Sequence, residues 1–320
     1  MAYSNLKQYE QAAEAYQEVL RIQPGNVSAW YSLGVAHVKL KQYGRAVPAF
    51  RKALRIQSEN ASVWYNLGLS HSNLKQHDQA VQAYREVLRI DPEYVEAWHE
   101  LGLVYLDSGQ FDQAILACRE LLRIDSEDPR AWHNLGLAYN NLNQHESAIQ
   151  GYREALRIDQ ENASSWNNLG ISHNGFKQYE QAVYALREAL RIQPGYADAW
   201  HNLGIVYIDS GQYDQAIDAY HEVVRINPTN SEAWNNLGVA YFFQNQHDKV
   251  REVYLTLRTL NAAMADKYAS ALMRKSDPDF PEINQLHKHR PQRLHKRHNM
   301  RARTDKGEPE VMVKRLWGQV

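Results

Sequence analysis

Hydrophobic side chains recur along this chain at intervals of three and four, in two alternating series. Counted from Val27 on a 34-residue ruler, the first series occupies positions four, seven and eleven, and the second runs from position 17 to position 30. That spacing places each series on one face of an amphipathic helix and excludes the strict alternation of a half-buried strand. Full units begin at 27, 61, 95, 129, 163, 197 and 231. Position four is tryptophan in all seven, at 30, 64, 98, 132, 166, 200 and 234. Position seven is leucine and position eight glycine, from Gly34 through Gly238, and position eleven is histidine or tyrosine. Position 20 is alanine in six units and Val250 in the seventh. A short polar stretch, such as residues 107–110, separates the two series. Each unit is therefore predicted as two helices and a turn. The fixed period predicts an array whose units pack mainly on their neighbours, not one globular core.

The small residues say how the two helices meet. Glycine at position eight and alanine at 20 let them approach at the short end of the usual ~8–10 Å separation. Tryptophan at position four then fills the wedge between them, burying ~150–250 Å². A longer period overlies the short one, because residues 61–128 resemble 163–230, the mark of a duplicated block of three units.

These positions resemble the tetratricopeptide repeat, whose pattern is W-x2-L-G-x2-Y, then A-x3-F, then P near the end of the unit. The match covers about three quarters of the chain. It departs at the terminal proline, present at Pro92, Pro194 and Pro228 but replaced by Ser58, Ser126, Gln160 and Ala262, which is expected to loosen those turns. It departs again at position 24, where Cys118 and Leu186 replace an aromatic residue. The resemblance implies an all-α fold, a right-handed superhelical solenoid of tetratricopeptide helix-turn-helix repeats. It also implies a non-enzymatic scaffold for protein-protein interaction.

Seven tandem repeats are assigned to residues 27–264. Residues 2–12 align with 138–148, so Met1 falls at position nine of a further unit. Residues 1–26 are thus read as a partial repeat with its second helix intact and half of its first missing. Its apolar edge predicts an upstream portion of the chain, self-association or a partner there. Residues 265–275, with Tyr268, Ala269 and Leu272 on one face, read as a capping helix that Pro278 and Pro281 end. The rest, 276–320, is a basic, His-rich tail expected to be disordered.

Composition narrows the function further. Lys and Arg number 36 against 37 Asp and Glu, so no global field favours nucleic acid or membrane. The tail alone is basic, and 287–303 is a candidate polyanion contact through seven Lys/Arg and four His. No apolar run is long enough for a membrane span, and no basic-then-apolar leader opens the chain, which predicts an intracellular, cytoplasmic location. The single cysteine, Cys118, is read as a small core residue. Neither G-x-x-x-x-G-K-[ST] nor G-x-G-x-x-G occurs, and His99-Glu100 is followed by Leu103 where a zincin needs its second histidine. His99, His133 and His201 share position five but belong to units about one helix separation apart, too far for one metal at ~2 Å. No catalytic residue and no metal or other cofactor is therefore implied. Asn26, Asn60 and Asn162 begin N-x-S sequences at unit junctions and read as helix caps. Arginines at positions 25 and 29, such as Arg85 with Arg89 and Arg119 with Arg123, form a ladder on the second helix. It is read as a solvated outer face, with an anionic docking surface as the alternative.

The resemblance places positions two, five, six, nine and 13 of the first helix on the concave side. Position six is asparagine at Asn66, Asn134, Asn168, Asn202 and Asn236, with Ser32 and Glu100 as exceptions. Asparagine is about 0.7 kcal/mol worse than alanine inside a helix, and an amide both donates and accepts, as an extended peptide backbone does. Position five adds His133, Asn167, His201 and Asn235, and position nine is aliphatic throughout. These nine polar residues are the predicted peptide-binding groove, and its predicted ligand is an extended segment of a partner protein. A comparable asparagine ladder marks the arrays of the O-linked N-acetylglucosamine transferases and of the peroxisomal signal receptors. The chain accordingly looks like such an array without a catalytic domain. The alternative implied is the recognition region of a larger enzyme, such as a tetratricopeptide-bearing glycosyltransferase. The chaperone-tail clamp of related proteins needs Lys at position five and Asn at position nine, and neither occurs. Phe242 and Phe243 are read either as an aromatic anchor at the groove end or as residues covered by the capping helix.

Overall fold

The computed structural model describes the backbone of residues 2–273 and the side chains of 6–269; the tail at 276–320, with its basic segment 287–303, lies outside the described residues. Contacts divide the chain into two units, Met1–Glu161 and Asn162–Val320. The first holds α1 (Ala2–Ile22), α2 (Val27–Lys39), α3 (Tyr43–Ile56), α4 (Ala61–Asn73), α5 (His77–Ile90), α6 (Val95–Asp107), α7 (Phe111–Ile124), α8 (Pro129–Asn141) and α9 (His145–Ile158). The second holds α10 (Ala163–Gly175), α11 (Tyr179–Ile192), α12 (Ala197–Asp209), α13 (Tyr213–Ile226), α14 (Ser231–Phe243), α15 (His247–Leu260) and α16 (Ala262–Met273). The described residues are an all-α repeat array. Within each unit a first helix packs on the second helix of its own repeat, and that second helix packs on the first helix of the next.

The glycine at position eight is where the two helices of a repeat interlock. The residue at position 24 of the second helix is driven onto its bare backbone. A β-carbon on Gly68 would stand 2.6 Å from the Tyr84 ring, one on Gly136 2.7 Å from Tyr152, one on Gly204 2.6 Å from Tyr220 and one on Gly170 2.6 Å from Leu186. Phe50 presses on Gly34 in the same way, and in the last repeat Gly238 meets Val253 and the Tyr268 hydroxyl of α16. Only Gly102 has room, since Cys118 comes no nearer than 3.6 Å. All seven residues at position 24 are buried, Cys118 among them.

The core is wider than positions four, seven, eight and eleven. Positions three and ten are buried as well, as Val63 and Ser70 show in α4. A first helix is clasped from two sides, so it needs two apolar stripes. In α2 the second stripe is Ala29, Leu33 and Ala36, which cluster with Ala13 and Leu20 of α1. Tryptophan at position four is half-buried, and its indole N–H reaches back to a backbone carbonyl in the preceding linker. Trp30 donates to Pro24 at 2.8 Å, Trp64 to Ser58 at 2.8 Å, Trp98 to Pro92 at 2.9 Å and Trp132 to Ser126 at 3.0 Å. Because the acceptor is a main-chain oxygen, serine keeps the indole bond that the proline pattern supplies, but the linker turn itself is looser. The Tyr94 N–H closes on the Asp91 carbonyl at 3.2 Å beside Pro92, the Asp128 N–H reaches the Asp125 carbonyl only at 3.4 Å beside Ser126, and the segment at Ser58 is an open bend.

Each turn is closed by one backbone motif. Position 15 takes a positive φ in all seven repeats, between 55° and 73°, at Lys41, Lys75, Gly109, Asn143, Lys177, Gly211 and Asn245. The N–H at position 16 then returns to the carbonyl at position eleven, as in Gln76 to His71 at 2.9 Å and Gln110 to Tyr105 at 2.8 Å. This six-to-one closure satisfies carbonyls that the ending helix leaves open. Lys7 occupies the same register yet lies inside α1, which runs unbroken from Ala2 to Ile22. A left-handed lysine costs about 1–2 kcal/mol. At the other end, α16 starts at Ala262, three residues before the sequence-based boundary, because the Asn261 side chain accepts from the Met264 N–H at 3.1 Å and caps it. Asn26, Asn60 and Asn162 cap α2, α4 and α10 in the same manner.

Two glycine substitutions test the interlock. Gly68→Ala is expected to lower the melting temperature, because overpacking against Tyr84 costs ~1–3 kcal/mol. Gly102→Ala should leave it unchanged or raise it, since the methyl fits beside Cys118 and alanine is worth up to ~1 kcal/mol over glycine in a helix. Equal losses in the two variants, by circular-dichroism melting, would contradict this account.

Candidate protein-interaction faces

The first helices present the predicted polar ladder, and the structure sorts it into residues that face outward and residues that support them. Position five turns toward position 24 and packs ring on ring. Tyr31 lies 6.1 Å from Phe50, Tyr65 6.0 Å from Tyr84, His133 5.6 Å from Tyr152 and His201 5.7 Å from Tyr220. Burial lowers the pKa of His133 and His201, and of His99, whose Nδ1 is buried without a hydrogen-bond partner opposite the small Cys118. Cys118 itself is pushed up to about 12 by burial, which keeps its thiol protonated and unreactive.

In the second unit the asparagines join head to tail. Asn202 Nδ2 donates to Asn167 Oδ1 at 2.9 Å, and Asn167 Nδ2 donates to Asn168 Oδ1 at 3.2 Å. Asn167 is buried, while Asn168 and Asn202 are half-buried. The Nδ2 of Asn168 and the Oδ1 of Asn202 make no hydrogen bond among the described residues, so the short chain ends in one open donor and one open acceptor. Beside them Ile171 and Ile205, at position nine, are half-exposed. Farther along, Asn235 donates to Asn236 at 3.1 Å, but both are buried, as is Val239. Phe243 is stacked on Tyr213 at 4.8 Å, with Phe242 edge-on to it at 5.8 Å, and both pack against the second unit's core, so they serve as packing residues.

The first unit is built differently. Asn66 bends back to its own helix, donating to the Ser62 carbonyl at 2.8 Å, with Tyr31 at 3.4 Å. Asn134 is only 4% exposed. Between them stands Glu100, a residue that the asparagine pattern passes over. Its pKa is raised by burial, against the pull of the Arg130 guanidinium. Arg130 is itself tied to the buried Asp128 at 2.6 Å. Burial alone would raise the Asp128 pKa, yet the Arg130 guanidinium and the backbone N–H groups of Ala131 and Arg130 bring it below the usual value. Asp128 thus caps α8 and fixes Arg130 together. No periodicity signals this trio, because each member occurs once in the array.

On the second helices the arginine ladder is largely committed. Arginine at position 25 reaches the next repeat's tyrosine at position eleven: Arg85 to Tyr105 at 3.0 Å, Arg119 to Tyr139 at 2.8 Å and Arg187 to Tyr207 at 2.9 Å. Where position eleven is histidine, its Nδ1 instead meets the glutamine at position 16, as in His71 with Gln76 at 2.6 Å and His173 with Gln178 at 2.7 Å. Arginine at position 29 pairs with the glutamate three residues before it, as in Arg89–Glu86 and Arg123–Glu120, both at 2.9 Å. Arg89 and Arg157 also bridge to Glu59 and Glu127 in the preceding linker, each at 2.9 Å. Among the described residues no group of three or more His, Cys, Asp or Glu could hold a metal ion, and no helix is long and apolar enough to cross a membrane.

Comparison with known proteins follows the same lines. The family model described as the cilia and flagella-associated protein 70 C-terminal domain matches residues 1–163. A tetratricopeptide-repeat model matches 175–219, and a TPR-repeat model 206–245. No curated protein sequence matches the chain. Among solved structures, the C-terminal part of a TPR repeat-containing protein from Cytophaga hutchinsonii is similar at 17% identity and a TM-score of 0.60, covering 74% of this chain and 98% of that one. A chain of the APC/C hetero-tetramer Cut9–Hcn1 is similar at 21% identity and a TM-score of 0.57 over 72% of this chain, which spans only 46% of that chain's length. YrrB, described as a TPR protein with an unusual peptide-binding site, is similar at 21% identity and a TM-score of 0.51, covering 59% of this chain and 97% of that one. At these identities the likeness is one of fold.

The buried histidines give a pH dependence with a definite sign. His71, His99, His133 and His201 all have lowered pKa values, with burial the largest cause. The unfolded chain therefore takes up protons below about pH 6.5 that the folded chain refuses, and stability is lost as pH falls through that value, by up to about 1.4 kcal/mol per pH unit per histidine. Asparagine stands naturally at position five in two repeats, so His133→Asn with His201→Asn is a conservative pair. The melting temperature of this variant should fall less than the wild type's between about pH 7.5 and about pH 5.5. An identical fall would show that these two rings do not carry the effect.

Proposed function

We propose that this chain, which belongs to the tetratricopeptide-repeat family of the cilia and flagella-associated protein 70 C-terminal domain, binds an extended segment of a partner protein along the first-helix face of its second unit. The array is a protein-interaction scaffold. What supports the finer reading is the amide chain Asn202–Asn167–Asn168, which leaves one donor and one acceptor open at half-buried positions. An extended peptide offers a carbonyl and an N–H at every residue, so it can close both ends whatever its side chains are. Ile171 and Ile205 beside the amides take an apolar side chain or two of the segment. Buried Asn167 holds the other two amides in place, and it is a support rather than a contact. Asn235 and Asn236 are too enclosed for direct contact, and His201 acts by packing on Tyr220. The likeness to the glycosyltransferase arrays rests on the same backbone-reading amides. YrrB's description as a peptide binder agrees with this use of the fold.

Peptides selected from a random library on the wild-type protein provide the test. Asn168→Ala with Asn202→Ala should weaken them about tenfold or more, the worth of one or two hydrogen bonds in a sheltered site, while helicity is retained. Methylating the peptide's backbone nitrogens should do the same, and replacing its polar side chains should not. Binding that survives the double variant and backbone methylation would overturn the proposal.

A further inference from the structure

Two crevices on the second helices occupy equivalent positions 68 residues apart, one in each unit. In the first unit it lies between α7, α8 and α9, has a volume of about 500 Å³, and is lined by Arg119, Arg123, Trp132, Tyr139, Ser147 and Gly151, with Leu122 and Leu135 at its floor and Gln150 at its rim. Its counterpart in the second unit is lined by Arg187, Trp200, Tyr207, Gln215, Asp218 and Ala219, and holds about 250 Å³. The floor and the position-25 arginine are common to both. The difference lies in three residues of the following second helix, where Ser147, Gln150 and Gly151 stand for Gln215, Asp218 and Ala219. Ser147, smaller than Gln215, opens space, and Gly151 lets α9 sit directly on α8, since a β-carbon there would come within 3.0 Å of the Gly136 nitrogen and the Trp132 carbonyl. Charge differs too. The second crevice carries its own carboxylate in Asp218, while Arg187 bonds to the Tyr207 hydroxyl at 2.9 Å. In the first that position is the neutral Gln150, and Arg119 bonds only to the neutral Tyr139 hydroxyl at 2.8 Å.

We propose that the crevice of α7, α8 and α9 is a second docking site, taking a short acidic segment of a partner protein in which a Glu or Asp adjoins an aromatic residue. The segment's carboxylate stands where Asp218 stands in the other crevice and pairs with Arg119, in the charge-assisted manner that favours arginine. Its ring fills the space above Trp132 and Leu135, a floor held still because the Trp132 indole is bonded to the Ser126 carbonyl at 3.0 Å. Leu116, one turn ahead of Arg119 on α7 and 53% exposed, extends the apolar contact along the helix. The exposed setting of Arg119, Gln150 and Leu116 favours a peptide over a free aromatic acid, because only a peptide covers the rim as well as the floor.

The full chain, isotope-labelled, is titrated with acetyl-Gly-Glu-Phe-Gly-amide, with its Glu-to-Gln analogue and with phenylacetate, following the Trp132 indole N–H resonance, assigned through Trp132→Phe. The acidic peptide should move that resonance, and the Gln analogue should bind about tenfold more weakly or worse. Ser147→Gln with Gln150→Asp, which rebuilds the second crevice in the first, should weaken the acidic peptide by a similar factor with the circular-dichroism spectrum unchanged. Asn168→Ala with Asn202→Ala should leave this binding intact, which separates the site from the amide face. Equal binding of the Gln analogue, full affinity in the rebuilt crevice, loss in the asparagine variant, or a shift by phenylacetate at lower concentration than the peptide would each overturn the assignment.

Discussion

A large side chain seated on a bare glycine sets the distance between the two helices of almost every repeat, and the rest of the structure is arranged around that contact. Tyr84 on Gly68, Tyr152 on Gly136 and Tyr220 on Gly204 leave no room for even one methyl group. With the pair locked at that spacing, position five can lay a ring against the same residue from the other side, as His133 and His201 do. The turn then has to reverse within a fixed span, and a left-handed residue at position 15 is the conformation that does it. Each locked pair is joined to the preceding linker by an indole N–H and to its neighbour by a second apolar stripe.

Two outward faces result, and they carry different chemistry. On the first helices, amides satisfy one another until the chain of donors and acceptors runs out at Asn168 and Asn202. On the second helices, the position-29 arginines pair with glutamates one turn away, and the position-25 arginines bond to tyrosine hydroxyls of the next repeat. The exposed ion pairs contribute little stability each, but they remove most of the ladder from use as an anion-binding surface. Arg119, like Arg85 and Arg187, bonds to a neutral hydroxyl, and in its crevice the position that Asp218 fills in the other one is the neutral Gln150.

Most of the fold was legible in the sequence because its determinants repeat. Tryptophan, glycine and alanine at fixed register imply the two helices, the turn and the stacking. Positions three and ten escaped notice since alanine, serine and valine there make no contrast of polarity with their neighbours. The pattern alone implies wedge filling for the tryptophan, since an indole bonded to a carbonyl six residues back leaves no mark in residue type. Position five reads as groove because histidine and asparagine are polar; its rings pack on position 24, and Asn167 and Asn235 bond to neighbouring amides, tertiary contacts that local pattern does not encode. Glu100, Arg130 and Asp128 were missed for the opposite reason, each standing once where periodic reasoning averages it away.

The central claim is that helix spacing is set by the position-24 side chain meeting the position-eight glycine, and a double-mutant cycle tests it most directly. Gly68→Ala is measured by thermal and denaturant unfolding in the wild type and again in a Tyr84→Cys background, which reproduces the Gly102–Cys118 arrangement. The account predicts a coupling of about 1–3 kcal/mol, with alanine costly beside tyrosine and harmless beside cysteine. The same cost in both backgrounds would contradict it.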